Sequence, residues 1–408
     1  MKHHYFSILM LFFLGLSASA QNACFNYNKA YVQFLYSNYQ EAVPLFTLAI
    51  NEKPDLADAY ANRGLSYHKL SKLDDAIKDY LKDNSLKKDR SSYNLACAYA
   101  LQGKKEEAFR YLEEYQKSTY KQLKSVLETD TDLDNLRKDP RWNTFIAKDY
   151  FTPCDKAIIE ANEKFTAKDY EGSIDACNKA IRADKTDKRA YTSKGYIFSI
   201  LGKTDEAIAE YDKLLQIDPN DFEGYSGKAN VYFQQRKYSE ALPLYENATA
   251  KNSCYLPFYE TGMCKYTSDK KDDGVSDMKK HCEIYPKDDM TIYTCGRFLY
   301  DLQKDDDALI YAEKAITLNQ TTPEYYMLRA YVNQVKKNFN AAIADYSQAI
   351  MLGGNSKGEA YYKRGICRAE KYAVSKNATD KTSFCADMES ADAQGIKEAA
   401  QYLRELCD

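Results

Sequence analysis

The chain has 408 residues, with 57 Lys+Arg against 60 Asp+Glu and a formal net charge of −3. That balance offers no basic field for nucleic acid. No G-x-S-x-G, H-E-x-x-H, phosphate loop or Rossmann glycine fingerprint occurs, so no catalytic motif argues for an enzyme. Read from the start, Lys2, the apolar run Ile8 to Leu16 and Ala18-Ser19-Ala20 form a secretory leader pattern, with cleavage expected before Gln21. The run is too short to span a bilayer, and no later segment is apolar enough. A lipid anchor is the alternative, but Cys24 follows Asn22-Ala23 rather than a Leu-containing lipobox. The expectation is an exported protein, periplasmic or extracellular, soluble after cleavage, with residues 1–20 as signal peptide.

From there a period takes over. Ala30, Gly64, Ala96, Ala161, Gly195, Ala229, Gly262, Gly296, Ala330 and Gly365 are spaced by 32 to 35 residues, except for one step of 65 from Ala96 to Ala161. Twelve residues after each of the first nine sits a second small residue: Ala42, Ala76, Ala108, Ser173, Ala207, Ala241, Gly274, Ala308 and Ala342. A fixed period of this size implies a stacked array. Two small positions per period imply two helices pressed too closely for a larger side chain. Apolar residues recur at helical spacing in each second helix, as in Ala42, Leu45, Phe46, Ala49 and Ile50. Acid runs such as Asp74-Asp75 and Asp305-Asp306-Asp307 precede second helices, where they suit the positive end of the helix dipole rather than acid–base catalysis.

This pattern resembles the tetratricopeptide repeat family over nearly all of the chain after the leader. The resemblance implies an all-α solenoid of antiparallel helix pairs, a right-handed superhelix of about ten repeats in two arrays. The first array, residues 21–150, holds three units: Tyr27 to Ser37 with Gln40 to Asn51, a unit from Ala57, and Ser91 to Gln116. The period then breaks. After a helix from Tyr120 to Leu127, the run Asp132 to Trp142 resembles an end-cap of bacterial relatives, D-L-x-x-L-R-x-D-P-R-[WF]. Leu133, Leu136, Trp142, Phe145 and Ile146 are expected to cover the face that a next repeat would bury. Phe151-Thr152-Pro153 is the expected boundary. The second array, residues 151–408, holds seven units. In it the Gly262 unit is expected to be the least well packed, Lys371 to Ser383 to form an exposed inserted loop, and Gln394 to Leu406 to close the array as a capping helix.

Eleven cysteines in an exported chain imply pairing, with at least one left over. The run from Phe384 through Gly395 resembles endings of exported relatives, which points to Cys385–Cys407. Cys254–Cys282 and Cys154–Cys177 are further expected pairs. No C-x-x-C occurs, and His68 and His281 stand far apart, so neither a metal site nor a cofactor is expected.

In the resembling family the first helices line the concave face, at the second, fifth, ninth and twelfth places of each unit. That register selects Arg189, Tyr196, Asn230, Phe233, Tyr259, Met263, Tyr266, Tyr293, Arg297, Tyr300, Met327, Tyr331, Gln334 and Tyr362. Tyr and Arg supply much of the binding energy at interfaces, but Tyr also serves this family structurally. A carboxylate clamp for a partner's C-terminus is not supported: Asn62 and Arg90 fit, while Tyr27, Tyr31 and Asn94 depart from the pattern. The implied function is a non-catalytic protein-interaction scaffold in the cell envelope, holding a peptide or protein segment. A structural or self-associating spacer and a carbohydrate-binding surface are the alternatives.

Overall fold

A computed structural model describes residues 22–407, so the expected leader and its cleavage point lie outside the described residues. Among the described residues the only regular structure is helical, in consecutive antiparallel pairs, and no strand occurs. Among the described residues no helix is long and apolar enough to cross a membrane. The chain divides into two compact units, one ending at Pro257 and one beginning at Phe258.

The pairing rests on the small residues. All ten first-helix positions, from Ala30 to Gly365, and all nine second-helix positions, from Ala42 to Ala342, are buried. Gly195 shows why. A Cβ there would stand 2.9 Å from Cζ of Tyr211, a ring belonging to the second helix of the same repeat. The period also fixes the turns. Seven residues after the small position, the chain enters the left-handed region at Ser37, Ser71, Gly103, Lys168, Gly202, Arg236, Gln303 and Lys337. A single left-handed residue reverses the backbone and starts the second helix. In the Gly365 unit the left-handed residue falls later, at Lys376, and in the Gly262 unit no described residue takes that conformation.

In the first unit the repeats begin with the helix 22–35 and Tyr39–Glu52, followed by Ala57–Lys69 with Leu73–Leu86 and Ser92–Leu101 with Lys105–Lys117. The cap follows. Its first helix is Lys124–Thr129, shorter and later than the expected Tyr120 to Leu127. Leu133 and Leu136 are fully buried, and Trp142 and Phe145 are 5% exposed, in one cluster with Leu95, Ala96 and Leu112. Ile146 packs against that cluster. The cap therefore covers the third repeat, as its sequence implies.

The chain does not divide after the cap, as the expected boundary near residue 150 would have it. Thr152 accepts from the Asp155 amide at 3.1 Å and its own amide donates to Asp155 at 3.0 Å, a reciprocal cap on Pro153–Thr166. Lys121 ties the same carboxylate, at 2.9 Å, to the Tyr150 carbonyl, at 3.0 Å. Three further helix pairs then run to Lys251. Cys254 in the following turn is bonded to Cys24, 230 positions earlier. Asn28 reinforces this closure, donating to the carbonyls of Cys24 at 2.8 Å and Cys254 at 3.1 Å. Cys254 also packs on the core of the first repeat, against residues such as Phe46 and Ala49. The expected pairs Cys254–Cys282 and Cys154–Cys177 are thus absent. Cys254 is taken by Cys24, the Cys154 thiol donates to Asp187 at 3.3 Å, and Cys177 and Cys282 are free thiols.

In the second unit, Phe258–Tyr266 pairs with Lys271–Ile284. This is the repeat expected to pack worst, yet its two helices approach closely. A Cβ on Gly274 would lie 2.7 Å from both the Gly262 carbonyl oxygen and the Tyr266 amide nitrogen, so the two backbones meet directly. Met278 fills the adjoining space and is fully buried. Three more pairs follow: Asp289–Asp301 with Asp305–Leu318, Pro323–Val335 with Phe339–Leu352, and Lys357–Ser375 with Ala378–Ala393. The last pair absorbs the expected exposed loop. Residues 371–383 contain no Gly or Pro, so both helices simply lengthen, meeting at a left-handed Lys376 and an Asn377 cap that accepts from the Thr379 amide at 3.0 Å. Cys385 and Cys407 are bonded, with Cα atoms 5.7 Å apart. This closes the short terminal helix Lys397–Tyr402 and the turn Leu403–Cys407 over Phe384 and Met388.

Replacing Gly274 by Ala forces two backbones apart rather than a flexible side chain. It is expected to destabilise the second unit by about 1–3 kcal/mol, read as a lowered urea midpoint, whereas Ala308→Gly removes a methyl without creating a clash and leaves the helices paired.

Candidate functional site

Three successive first helices of the second unit, Asp289–Asp301, Pro323–Val335 and Lys357–Ser375, stand side by side. Each start is fixed locally. Asp288 caps the first, accepting from the Thr291 amide at 3.0 Å and hydroxyl at 2.7 Å. Pro323 opens the second in the first-turn position where its missing N–H is harmless. Gly353 and Gly354, both at φ 84, turn the chain ahead of the third.

Between these helices lies a cleft of about 420 Å³. Met327 and Leu328, 4% and 2% exposed, form its apolar floor. Tyr293, Tyr300 and Tyr331 form its walls, and Arg297, Asp301, Glu324, Glu359 and Lys363 its rim. The Tyr300 and Tyr331 rings lie 6.0 Å apart at 24°, and Tyr293 packs on Tyr325 at 5.0 Å. Tyr331 donates to Glu359 at 2.8 Å, and Ser356 donates to Glu324 at 2.8 Å. Burial, then Glu359, raises the Tyr331 phenol well above its ordinary range. Burial also raises Tyr293, against the pull of the Arg297 guanidinium, and Tyr300. All three phenols therefore remain protonated donors across the physiological range. With two cations and three carboxylates around apolar ground, the cleft can take an apolar anchor and bond polar groups at its edge. It presents no nucleophile–base pair.

The family register selects part of this cleft. Tyr293, Arg297, Tyr300, Met327 and Tyr331 come together there. Gln334 lies elsewhere, accepting from Tyr346 at 2.9 Å. Tyr362 packs against Tyr402, and Tyr259 against His281. Tyr266 stacks flat on Phe298 at 3.5 Å and donates to Asp301 at 3.1 Å. Met263 packs on the core containing Met278. In the first unit, Arg189 is spent on Asp187 and Asp155, at 2.5 and 2.8 Å. Asn230 accepts from Tyr245 at 2.7 Å, and Phe233 packs edge-on against Tyr238. Tyr196, 54% exposed, keeps most of its surface in solvent. The clamp residues are likewise engaged internally: Asn62 donates to Tyr27 at 3.1 Å, and Arg90 pairs with Asp58 and Asp83. Glu324 and Glu359 were missed by sequence reasoning, although they occupy the second place of the same register.

A second opening of about 560 Å³ lies on second-helix ground, against Cys282, Ile310, Tyr311 and Leu318. Its lining carries one cation and one carboxylate, Lys314 and Glu313, and no aromatic wall comparable to the first.

Comparison with known proteins addresses the helix pairs themselves. Family models described as tetratricopeptide repeat match residues 57–88 and 91–114, and one described as TPR repeat matches 195–236. This is a tetratricopeptide repeat protein. Among curated relatives, the Hsp70-Hsp90 organizing protein of Triticum aestivum is 24% identical over 222 residues, 51% of this chain and 37% of its own length. Small glutamine-rich tetratricopeptide repeat-containing protein 2 of Mycosarcoma maydis is 31% identical over 87 residues, 21% of this chain and 25% of its own. The chain thus spans well under half the length of these relatives. Among solved structures, the C-terminal part of a TPR repeat-containing protein from Cytophaga hutchinsonii aligns with 60% of this tetratricopeptide chain and 98% of its own at 18% identity, with a TM-score of 0.49. YrrB, described as a TPR protein with an unusual peptide-binding site, aligns with 43% of this chain and 92% of its own at 22% identity, with a TM-score of 0.40.

The cleft depends on the Asp288 cap. Hydrogen bonding from His281 leads in holding the Asp288 carboxyl down at about 2, with the Thr291 bonds adding to it against desolvation. A depressed folded-state pKa gives stability that is present above the unfolded value, near 4, and is lost as pH falls towards about 2. Asp288→Ala is expected to cost about 0.5–2 kcal/mol at neutral pH and to flatten the melting temperature between pH 4 and pH 2, measured by thermal melts across that range.

Proposed function

We propose that this protein is a non-catalytic interaction scaffold whose second unit grips a segment of a partner protein in the cleft between Tyr293, Tyr331 and Glu359. The observation that carries this reading is the combination of a buried apolar Met327–Leu328 floor, three protonated tyrosines and a rim bearing both signs of charge. Tyrosines on rigid helices bury area at little conformational cost and keep a hydroxyl for bonding. The rim favours a segment with an apolar side chain for the floor and a basic group for Glu324 and Glu359. Arg297 and Lys363 remain for the segment's carbonyl oxygens or a carboxylate. Relatives named as Hsp70-Hsp90 organizing proteins agree in kind with a protein partner.

Co-purification with Tyr331→Ala and Arg297→Ala tests the cleft. Each is expected to weaken capture of the partner at least about tenfold, since buried Tyr and Arg anchors are worth about 2 kcal/mol or more, whereas Tyr196→Ala in the first unit leaves it intact. A partner held equally well by all three variants removes the proposal.

We also propose that the chain works outside the reducing cytosol, in the periplasm or beyond. The two cysteine pairs Cys24–Cys254 and Cys385–Cys407 support this, since such bonds persist in oxidising compartments. Alkylation of thiols before cell fractionation is expected to find both pairs blocked by oxidation in the envelope or secreted fraction. Recovery of the protein in the cytosol with all cysteines alkylated would overturn it.

A further inference from the structure

The charges around the cleft of the second unit are kept apart where their spacing would let them pair. Glu359 and Lys363 stand four residues apart on Lys357–Ser375, and Arg297 and Asp301 four apart on Asp289–Asp301. Opposite charges at that spacing face each other across one helical turn and attract. The chain closes such pairs elsewhere, at Glu113–Lys117 and Lys124–Glu128. In the cleft neither closes. Tyr331 donates to Glu359 at 2.8 Å, and Lys363 lies over the Tyr362 ring, 5.9 Å from its centroid. Tyr266 donates to Asp301 at 3.1 Å, and Arg297 donates to the Tyr293 oxygen. Glu324 accepts from the Ser356 hydroxyl at 2.8 Å. Among the described residues, all five charges are thus held by neutral groups and none by an opposite charge.

A hydroxyl or ring fixes the direction of a charged group without cancelling its charge, which leaves the charge preorganised for something else. The two signs are also sorted along the helices. Glu324 and Glu359 occupy the second place of adjacent repeats, Met327 and Leu328 the fifth and sixth, Lys363 the sixth and Arg297 the ninth. The sequence down the cleft is therefore acid, apolar floor, cation. At 1.5 Å per residue, the offset between the two signs is about 6–10 Å, the span of two or three residues of extended chain at about 3.3 Å each.

We propose, on the reading of the cleft as the grip for a partner segment, that it selects a dipolar one. A basic side chain of the segment meets Glu324 and Glu359, an apolar one enters the Met327–Leu328 floor, and an acidic one meets Arg297 and Lys363. The segment lies along the first helices, because the charge offset runs that way. A segment of one sign leaves the other set of rim charges partly desolvated without a partner. Tyr331 is a positioning residue in this scheme, since its hydroxyl keeps Glu359 from closing on Lys363. The rim stays partly in water, so the discrimination is screened by salt.

The test is calorimetric titration of the purified full chain with a panel of short acetylated and amidated peptides, their termini carrying no charge. Dipolar members have the centre Lys-Leu-Ala-Asp, with Met or Phe in place of Leu in others, and neutral counterparts have Gln and Asn for Lys and Asp. The dipolar peptides are expected to bind at least about fivefold more tightly at low salt, the margin that two partly exposed ion pairs supply. That margin is expected to shrink in about 0.5 M NaCl. Glu324→Gln combined with Glu359→Gln is expected to erase the advantage of Lys over Gln, and Arg297→Gln combined with Lys363→Gln that of Asp over Asn. Tyr331→Phe keeps the ring, and is expected to leave neutral peptides little affected while narrowing the dipolar margin. Circular dichroism reports folding of each variant. A wild-type chain that binds both kinds of peptide equally, or a margin that survives the double glutamate change, overturns the charge selection and leaves the cleft reading standing. Binding of no peptide, or binding that Tyr331→Ala does not weaken, removes the cleft reading and the charge selection together.

Discussion

Every higher feature of this chain depends on one steric condition: a residue no larger than a methyl group, Ser173 apart, must stand where the two helices of each repeat cross. Where it holds, the opposite face is free to carry a large partner, as Tyr211 lies over Gly195. Ridge-into-groove contact at such short range leaves little play in the angle between helices. The same angle repeated along the chain sets where each first helix points. Binding groups on those helices are consequently placed by core packing, not by loops.

The cleft of the second unit is a product of that placement. Its lining repeats the same register on consecutive first helices, Arg297 and Tyr331 at the ninth place and Glu324 and Glu359 at the second, so its width is set by the repeat-to-repeat distance. Other tyrosines of the same register are absorbed by ring contacts, such as Tyr266 on Phe298 of the next repeat and Tyr362 on Tyr402 of the terminal helix. The structural and the binding uses of tyrosine thus coexist in one register. What separates them is whether a ring finds a neighbour that fills its face.

Much of the fold was legible because the small-residue ladder is local: each pair of positions lies twelve residues apart, and each turn falls seven residues after the first. The cap was legible for the same reason, with Leu133, Leu136 and Trp142 in one short run. The site was legible in part. The register reached Tyr293, Arg297, Tyr300 and Tyr331, but attention to aromatic residues passed over Glu324 and Glu359 at the second place. Residues 371–383 were misread because chain length beyond a standard turn suggested a loop, while the absence of Gly and Pro lets helix continue through it. Features built from distant segments left no trace in spacing. Cys24 meets Cys254 only because a long succession of repeats returns to its start, and the grouping of Cys97 with Asp130 and Asp132 depends on the third repeat and the cap being stacked first.

The bond between Cys24 and Cys254 has a mechanical consequence. Tension drawn along the chain from its N-terminal side enters at Cys24 and leaves at Cys254 through two sulfur atoms, so the 230-position loop they close carries none of it. The helix pairs within that loop are shielded from stretching as long as the bond is oxidised, and the pull falls first on the second unit, which holds the cleft. A partner tugging on that cleft would load those repeats while the larger part of the molecule stayed slack.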